Sequence, residues 1–215
     1  MNTYSEIIRE KGIDRLCHFT HCNNLGKILS EGILSSKYPN INRNDLDRAD
    51  GYLDYVCTSI QYPNVYCLRD IIKRQNLKME DFVILEVDPN IINDTTNFCY
   101  VNAAQDSGRY VSKGVESFKM IFSEYLEFGK IKKRNSKWVK NAPTNLQAEV
   151  LIFDKITVEK IKGIIFHENC IIENILKDII VPSHIRLRKS KDLFEKCDYW
   201  LNRGCYPYDF SLDWS

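Results

Sequence analysis

The apolar runs in this chain are too short to be anything but strands. Residues 16–20, 55–60, 82–87, 148–153, 163–166 and 185–187 each carry a few apolar or β-branched residues before a polar or turn-forming residue intervenes. Runs of that length bounded by turn signals read as buried strands, because a helix needs roughly ten residues or more to present a face. Between them lie amphipathic stretches. Residues 4–11 place Tyr4, Ile7 and Ile8 on one face, with Gly12 as the stop. Residues 23–31 bury Leu25, Ile28 and Leu29, and Gly32 stands where a left-handed C′ residue belongs. Residues 64–74, 115–128, 171–179 and 193–201 are read as further helices, the second of these through Phe118, Ile121, Phe122, Tyr125 and Leu126. There is no internal repeat. No Gly-x-Gly-x-x-Gly follows a strand and no P-loop occurs, which excludes the usual dinucleotide and triphosphate folds. The pattern predicts an α+β fold, with helices gathered early and later strands free to pair in two sheets. A length of 215 residues suits a single domain over 1–215.

Charge and cysteine usage narrow the function classes. The net charge of +1 gives no global signature of nucleic-acid binding. The charge is uneven, however. Lys130, Lys132, Lys133, Arg134, Lys137 and Lys140 crowd one segment, and Arg186, Arg188, Lys189 and Lys191 another. Taken alone, either run reads as a solvated face. The eight cysteines include no Cys-x-x-Cys, and several sit in apolar runs, so they are read as reduced, mostly buried thiols rather than disulfides or a zinc site. No segment approaches the roughly 20 apolar residues that span a bilayer. The first residues lack the features of a signal peptide, so a cytoplasmic protein is expected. The aromatic tail (Tyr206, Tyr208, Phe210, Trp214) is expected to dock on the body.

Three constellations bear chemistry-competent residues. His18 and Thr20, two apart on a strand, share a face just before the helix start at Asn23-Asn24. Residues 44–51 read Asn-Asp-Leu-Asp-Arg-Ala-Asp-Gly within a polar loop spanning 37–52, and Arg48 is flanked there by Asp47 and Asp50. An arginine held by acids is positioned, and its planar fork suits a pyrophosphate. Glu149 heads the run 149–153, directly after a second long loop, 129–146, that holds the basic cluster and Trp138. Taken alone, the three read as a core histidine, a solvated acidic loop and an exposed strand end respectively.

In register, the three resemble the DarT family of DNA ADP-ribosyltransferase toxins. The stretch Leu16 through Leu34 is similar to that family's opening His-x-Thr strand, Asn-Leu helix and Gly-Ile turn. Residues 44–51 resemble the arginine loop of one branch, and Gln147-Ala148-Glu149-Val150-Leu151 resembles the catalytic-glutamate strand. The blocks bracket residues 16 to about 166; the last 50 residues match nothing in it. After the arginine loop, the thymine-modifying branch carries an Arg-Ser-Pro-Met-Leu-Tyr run. This chain has Thr58-Ser59-Ile60-Gln61-Tyr62-Pro63-Asn64, closer to the guanine-associated branch.

The resemblance implies an ADP-ribosyltransferase fold of two small packed sheets around an NAD cleft, with flanking helices. It implies NAD as co-substrate, no metal, and a nucleobase of single-stranded DNA as acceptor, guanine favoured over thymine. Glu149 is then the catalytic carboxylate. It would hydrogen-bond the ribose hydroxyls, stabilise the developing positive charge and take a proton from the attacking base. Arg48 would hold the NAD phosphates and orient the base. His18 and Thr20 would fix the ribose and nicotinamide side, Asn24 the strand–helix junction, and Ser59 would prop the site. Lys132, Lys133, Arg134 and Lys137 would track a phosphate backbone, and Trp138 would stack on a base. A monomer is expected, neutralised by an antitoxin that removes ADP-ribose. A transferase for RNA or protein, an NAD glycohydrolase and a non-enzymatic nucleotide-binding module remain the alternatives.

Overall fold

A computed structural model describes residues 3–39 and 50–211. In chain order the elements are α1 (Tyr4–Lys11), β1 (Leu16–His21), α2 (Leu25–Glu31), β2 (Ile33–Leu34), β3 (Tyr55–Ile60), α3 (Val65–Gln75), β4 (Phe82–Val87) and β5 (Asn97–Cys99). There follow β6 (Val111–Lys113), α4 (Val115–Met120), β7 (Tyr125–Glu127), β8 (Ile131–Lys133), β9 (Glu149–Phe153), β10 (Lys155–Ile156) and β11 (Ile161–His167). The last are α5 (Ile172–Leu176), β12 (Arg186–Ser190), α6 (Asp192–Glu195), α7 (Cys197–Leu201) and β13 (Phe210–Ser211).

The helix ends are set by local chemistry. At α1 the Thr3 hydroxyl accepts from the Glu6 amide while the Glu6 carboxylate accepts from the Thr3 amide, and Gly12 closes the helix at φ 66°. At α3 the Asn64 side chain accepts from the Cys67 amide. Asn64, read as part of a family block, thus works here as a helix cap.

The strands hydrogen-bond in the order β13-β12-β11-β4-β1-β3-β9-β5-β6, with two further two-stranded pairs, β10-β2 and β7-β8. The two expected sheets are therefore halves of one ladder, joined at a narrow seam. β1 pairs with β4 along its whole length, Leu16↔Val87 to His21↔Phe82. Against β3 it pairs only at Leu16↔Ile60 and Cys17↔Ser59. β3 is meanwhile committed to β9 from Tyr55↔Phe153 to Thr58↔Val150. Beyond Cys17 the two halves part.

One core lies on the face shared by Leu16, Val56, Ile60, Val83, Leu85, Val150 and Ile152, under α1, α2 and α4. On the opposite face of the first half, Cys17, Phe82, Ile84 and Ile165 pack with α3, α6 and α7. On the opposite face of the second half, Leu151 and Cys99 pack with Leu126 and Phe128 of the β7–β8 hairpin.

Four expectations are corrected. The helix read over 115–128 stops after Met120, because Thr144 takes over its carbonyls. The Thr144 amide donates to Ile121 O (2.9 Å) and its hydroxyl to Ser123 O (2.7 Å). The chain then turns into β7, so that Tyr125 is exposed and Leu126 buried. The loop read over 129–146 begins as the return strand β8, with Gly129 at φ 71° in the turn. The tail does not dock through Tyr206 and Tyr208, which are 64% and 68% exposed. It is tied instead by Asp209, whose carboxylate bonds Arg15 at 2.9 Å and Arg188 at 3.4 Å, both also paired with buried Glu86. Arg188, read as part of a solvated basic run, is thus spent inside. The side chain of Phe210 and all of Trp214 lie outside what is described.

Candidate active site

The seam positions the first constellation. Where β1 leaves β3, His18 bridges the gap with its side chain: Nδ1 lies 2.8 Å from Cys57 O. A carbonyl only accepts, so Nδ1 carries the proton and the ring is held by it. Two residues on, buried Thr20 accepts from the Asn24 side-chain amide at 3.0 Å. That bond joins the end of β1 to the start of α2. Ser59 is buried, and its hydroxyl donates to Cys17 O (3.4 Å), which braces the closed end of the seam.

Glu149 stands at the start of β9, opposite Cys99 of β5, and is half-buried. The Ala103 amide donates to its Oε1 at 3.2 Å. This contact comes from the loop after β5, a region the sequence reading passed over. By strand alternation Glu149 shares the face of Leu151 and Cys57, whereas His18 and Thr20 share that of Leu16. They flank the seam from its two halves. Cys57 links His18 to Asp50: its carbonyl holds the His18 ring and its thiol donates to the Asp50 carboxylate (3.9 Å).

Asp50 is the described end of the arginine block; Arg48 and residues 40–49 lie outside the described residues. Asp50 is buried and caps the turn into β3 by accepting from the Tyr52 amide at 3.0 Å. Burial pushes the thiol of Cys99, the cross-strand neighbour of Glu149, up to about 12, and the charges of Glu149 and Asp50 add to the rise. The turn that presses on Asp50 is strained. Asp106, Ser107 and Gly108 all have positive φ (49°, 55° and 84°). A Cβ on Gly108 would come within 2.8 Å of Asp50 O and 2.9 Å of the Tyr52 ring, so only glycine allows this approach. Sequence reasoning had noted Asp50 only as a flank of Arg48. Its role in the site needed the β5–β6 loop, which carries no local signal.

The basic loop divides on inspection. Lys133 and Lys137 are exposed. Lys133 keeps loose company with Glu124 (3.8 Å) and Tyr125. Lys132 faces inward: its Nζ donates to Asn145 Oδ1 (3.3 Å) and lies 5.9 Å from the Trp138 ring, and burial, then Lys130, holds it below the ordinary lysine range. Arg134 is a clamp. It donates to Ala142 O (2.7 Å), Val139 O (2.9 Å) and Thr144 Oγ1 (3.2 Å), and burial lowers its pKa. Trp138 is half-buried, with its indole N–H bonded to Asn202 Oδ1 at 3.0 Å. Lys133 and Lys137 are therefore presented outward, as are Lys130 and Lys140, the last reaching Glu10 O at 3.3 Å, while Lys132, Arg134 and Trp138 shape the loop that presents them. Among the described residues no group of His, Cys, Asp or Glu is arranged to hold a metal ion, and no helix is long and apolar enough to cross a membrane.

Comparison with known proteins bears on this geometry. A family model described as "ssDNA thymidine ADP-ribosyltransferase, DarT" matches residues 17–192. No curated protein matches the sequence. Among solved structures, DarTG of Thermosipho africanus in complex with ADP-ribose is 19% identical with a TM-score of 0.60, over 84% of this chain and 51% of that one. The present chain thus spans about half the length of that protein. DarT of Thermus sp. 2.9 in complex with NAD+ is 17% identical with a TM-score of 0.51, over 83% of this chain and 96% of that one. The same Thermus protein in complex with ADP-ribosylated ssDNA gives 15% identity and a TM-score of 0.54, over 85% of this chain and 97% of that one. At these identities the likeness establishes a shared ADP-ribosyltransferase fold, and the family match, which covers the seam, Asp50 and Glu149, establishes the rest: the chain belongs to the DarT family.

Proposed function

We propose that this chain transfers ADP-ribose from NAD to a base of single-stranded DNA, with Glu149 as the catalytic carboxylate. The observation that carries the reading is the placement of Glu149: it heads β9 with its carboxylate held by the Ala103 amide, on the sheet face where Cys57, paired with Leu151, reaches Asp50 at the end of the arginine block.

NAD supplies a ribose already bonded to a good leaving group. Glu149, fixed through the Ala103 amide, would stabilise positive charge as the bond to nicotinamide breaks, and would accept the proton lost by the attacking base nitrogen. The Nδ1-protonated His18 and the Thr20–Asn24 pair would orient the ribose and nicotinamide side. Ser59 would act by holding the seam closed. Arg48 would hold the phosphates and the target base. Lys133 and Lys137 would meet the DNA backbone, with Lys132, Arg134 and Trp138 keeping their loop in shape. A duplex hides the ring nitrogens, which favours a single strand. Support for guanine over thymine is the stretch from Thr58 to Asn64, which lacks the run of the thymine-modifying branch. Asn64 itself caps α3, so its place in that stretch is structural. A toxin of this kind would be paired with an antitoxin that removes the mark.

The test is to incubate the protein with NAD and, separately, single-stranded DNA, RNA and a mixed protein sample, and to weigh the acceptors. An ADP-ribose adduct on guanine of the DNA is expected. Adducts on RNA or protein alone, or free ADP-ribose with no adduct, would overturn the reading.

A further inference from the structure

The family match ends at residue 192, and the segment beyond it carries a feature the reading above does not use. In α7 and the turn after it, the Arg203 guanidinium lies 3.5 Å over the ring of Tyr199 and donates to the Tyr199 carbonyl at 3.2 Å. Arg203 is exposed and Tyr199 is 46% exposed. The pair is therefore a flat cation held in place before any ligand arrives, with one face on the tyrosine and the other turned outward.

Its location matters. The next residues are fastened to the basic loop. Asn202 accepts from the Trp138 indole at 3.0 Å, and Gly204, at φ 75°, lies so close to Lys137 that a Cβ would meet its carbonyl at 2.7 Å. The acids of the same segment are engaged elsewhere. Asp198 pairs with Arg69 (2.9 Å), Glu195 with His167 (3.0 Å), and Asp209 with Arg15 (2.9 Å). Asp192 accepts from the Tyr208 amide at 3.2 Å. Arg203, Lys196 and Lys137 have no carboxylate within ion-pair distance among the described residues. A phosphate backbone passing Lys137 would meet little repulsion here.

We propose that the Tyr199–Arg203 stack is an accessory binding platform for a base of single-stranded nucleic acid, extending the strand path beyond the Lys137–Trp138 loop. Bases stack on guanidinium and aromatic planes without regard to sequence, and a fixed plane loses little freedom in doing so. The platform rests on the DNA-directed reading above, and it adds a second contact remote from the reacting base.

The test is fluorescence anisotropy with labelled single-stranded oligonucleotides of about 5 and about 20 nucleotides, which bracket the span of such grooves. Arg203→Ala and Tyr199→Ala should weaken binding of the long oligonucleotide about tenfold, within the range for one stacked base, and leave the short one unchanged. Arg203→Lys should lose most of the same affinity, because it keeps the charge and loses the plane. Long-oligonucleotide affinity at the wild-type level in both alanine variants would overturn the platform. So would an equal loss at both lengths, which would mark α7 as a brace for Trp138 only. A wild-type protein that binds neither length would overturn the DNA-directed reading itself, and the platform with it.

Discussion

Arg134 and Lys137 sit three residues apart in one basic cluster, yet the structure separates what their removal should do. Arg134 makes three hydrogen bonds within the loop, to Ala142 O, Val139 O and Thr144 Oγ1. A hydrogen bond to a charged group contributes about 1.5–3 kcal/mol, and three bonds from one half-exposed side chain do not add fully. We estimate a loss of about 2–3 kcal/mol for Arg134→Ala. At roughly 2–4 °C per kcal/mol for a chain of this size, the melting temperature falls by about 5–10 °C. Lys137 is exposed and makes no such bonds, so Lys137→Ala should leave melting unchanged. The two also differ in salt response. Each phosphate contact to a single strand contributes about −0.7 to the slope of log affinity against log salt. Lys137→Ala should flatten that slope by about 0.7, whereas Arg134→Ala should weaken binding at every salt concentration with little change of slope. The assay is oligonucleotide anisotropy from low to moderate salt beside thermal melting. A flattened slope with unchanged melting in Arg134→Ala would refute the clamp and restore Arg134 to the backbone.

Other outcomes follow from the same geometry. Gly108→Ala combines a positive φ with a close approach to Asp50 and Tyr52. It should cost about 1–3 kcal/mol and reduce transfer more than oligonucleotide affinity, checked by melting and by labelled-NAD transfer. Asp154 holds Lys37 at 2.8 Å and the Tyr38 hydroxyl at 2.8 Å, and those two partners, Lys37 first, hold its carboxyl below the usual range. A depressed carboxyl stabilises the fold above its unfolded value, near 4, and that stabilisation is lost as pH falls through the lower folded value. Asp154→Asn keeps a residue tolerant of the φ of 68° found there and should remove this part of the acid dependence, read as melting temperature against pH. Unchanged acid dependence in Asp154→Asn would count against the clamp.

What the sequence made legible was local. Gly12 as a stop, the stripe Leu25, Ile28 and Leu29, and the strands over 55–60 and 82–87 all follow from patterns over a few residues and stand at those positions, whereas the runs at 163–166 and 185–187 belong to the longer strands Ile161–His167 and Arg186–Ser190. The stretch from Ile121 to Lys133 was misread because Phe118, Ile121 and Phe122 continue a helical rhythm into Leu126. A three-residue strand is too short to show its own alternation. Arg188 looked solvated because its partners, Glu86 and Asp209, are distant in sequence. The same limit applies to the site. Glu149 and the His18–Thr20 strand stood out through family blocks, but the Ala103 amide, the Cys57 carbonyl and the packing of Gly108 on Asp50 are tertiary facts with no local pattern. The basic loop was legible as charge only; which cations face outward was decided by Asn145, Thr144 and Asn202.

The central claim is that the carboxylate charge of Glu149 carries the transfer. The most direct measurement is the rate of label transfer from NAD to single-stranded DNA by Glu149→Gln, which keeps the shape and the bond from Ala103 and removes only the charge and basicity. The account predicts a fall of at least about a hundredfold, the low end for losing a general base, with oligonucleotide affinity and melting temperature retained. Transfer at the wild-type rate by that folded variant would contradict it.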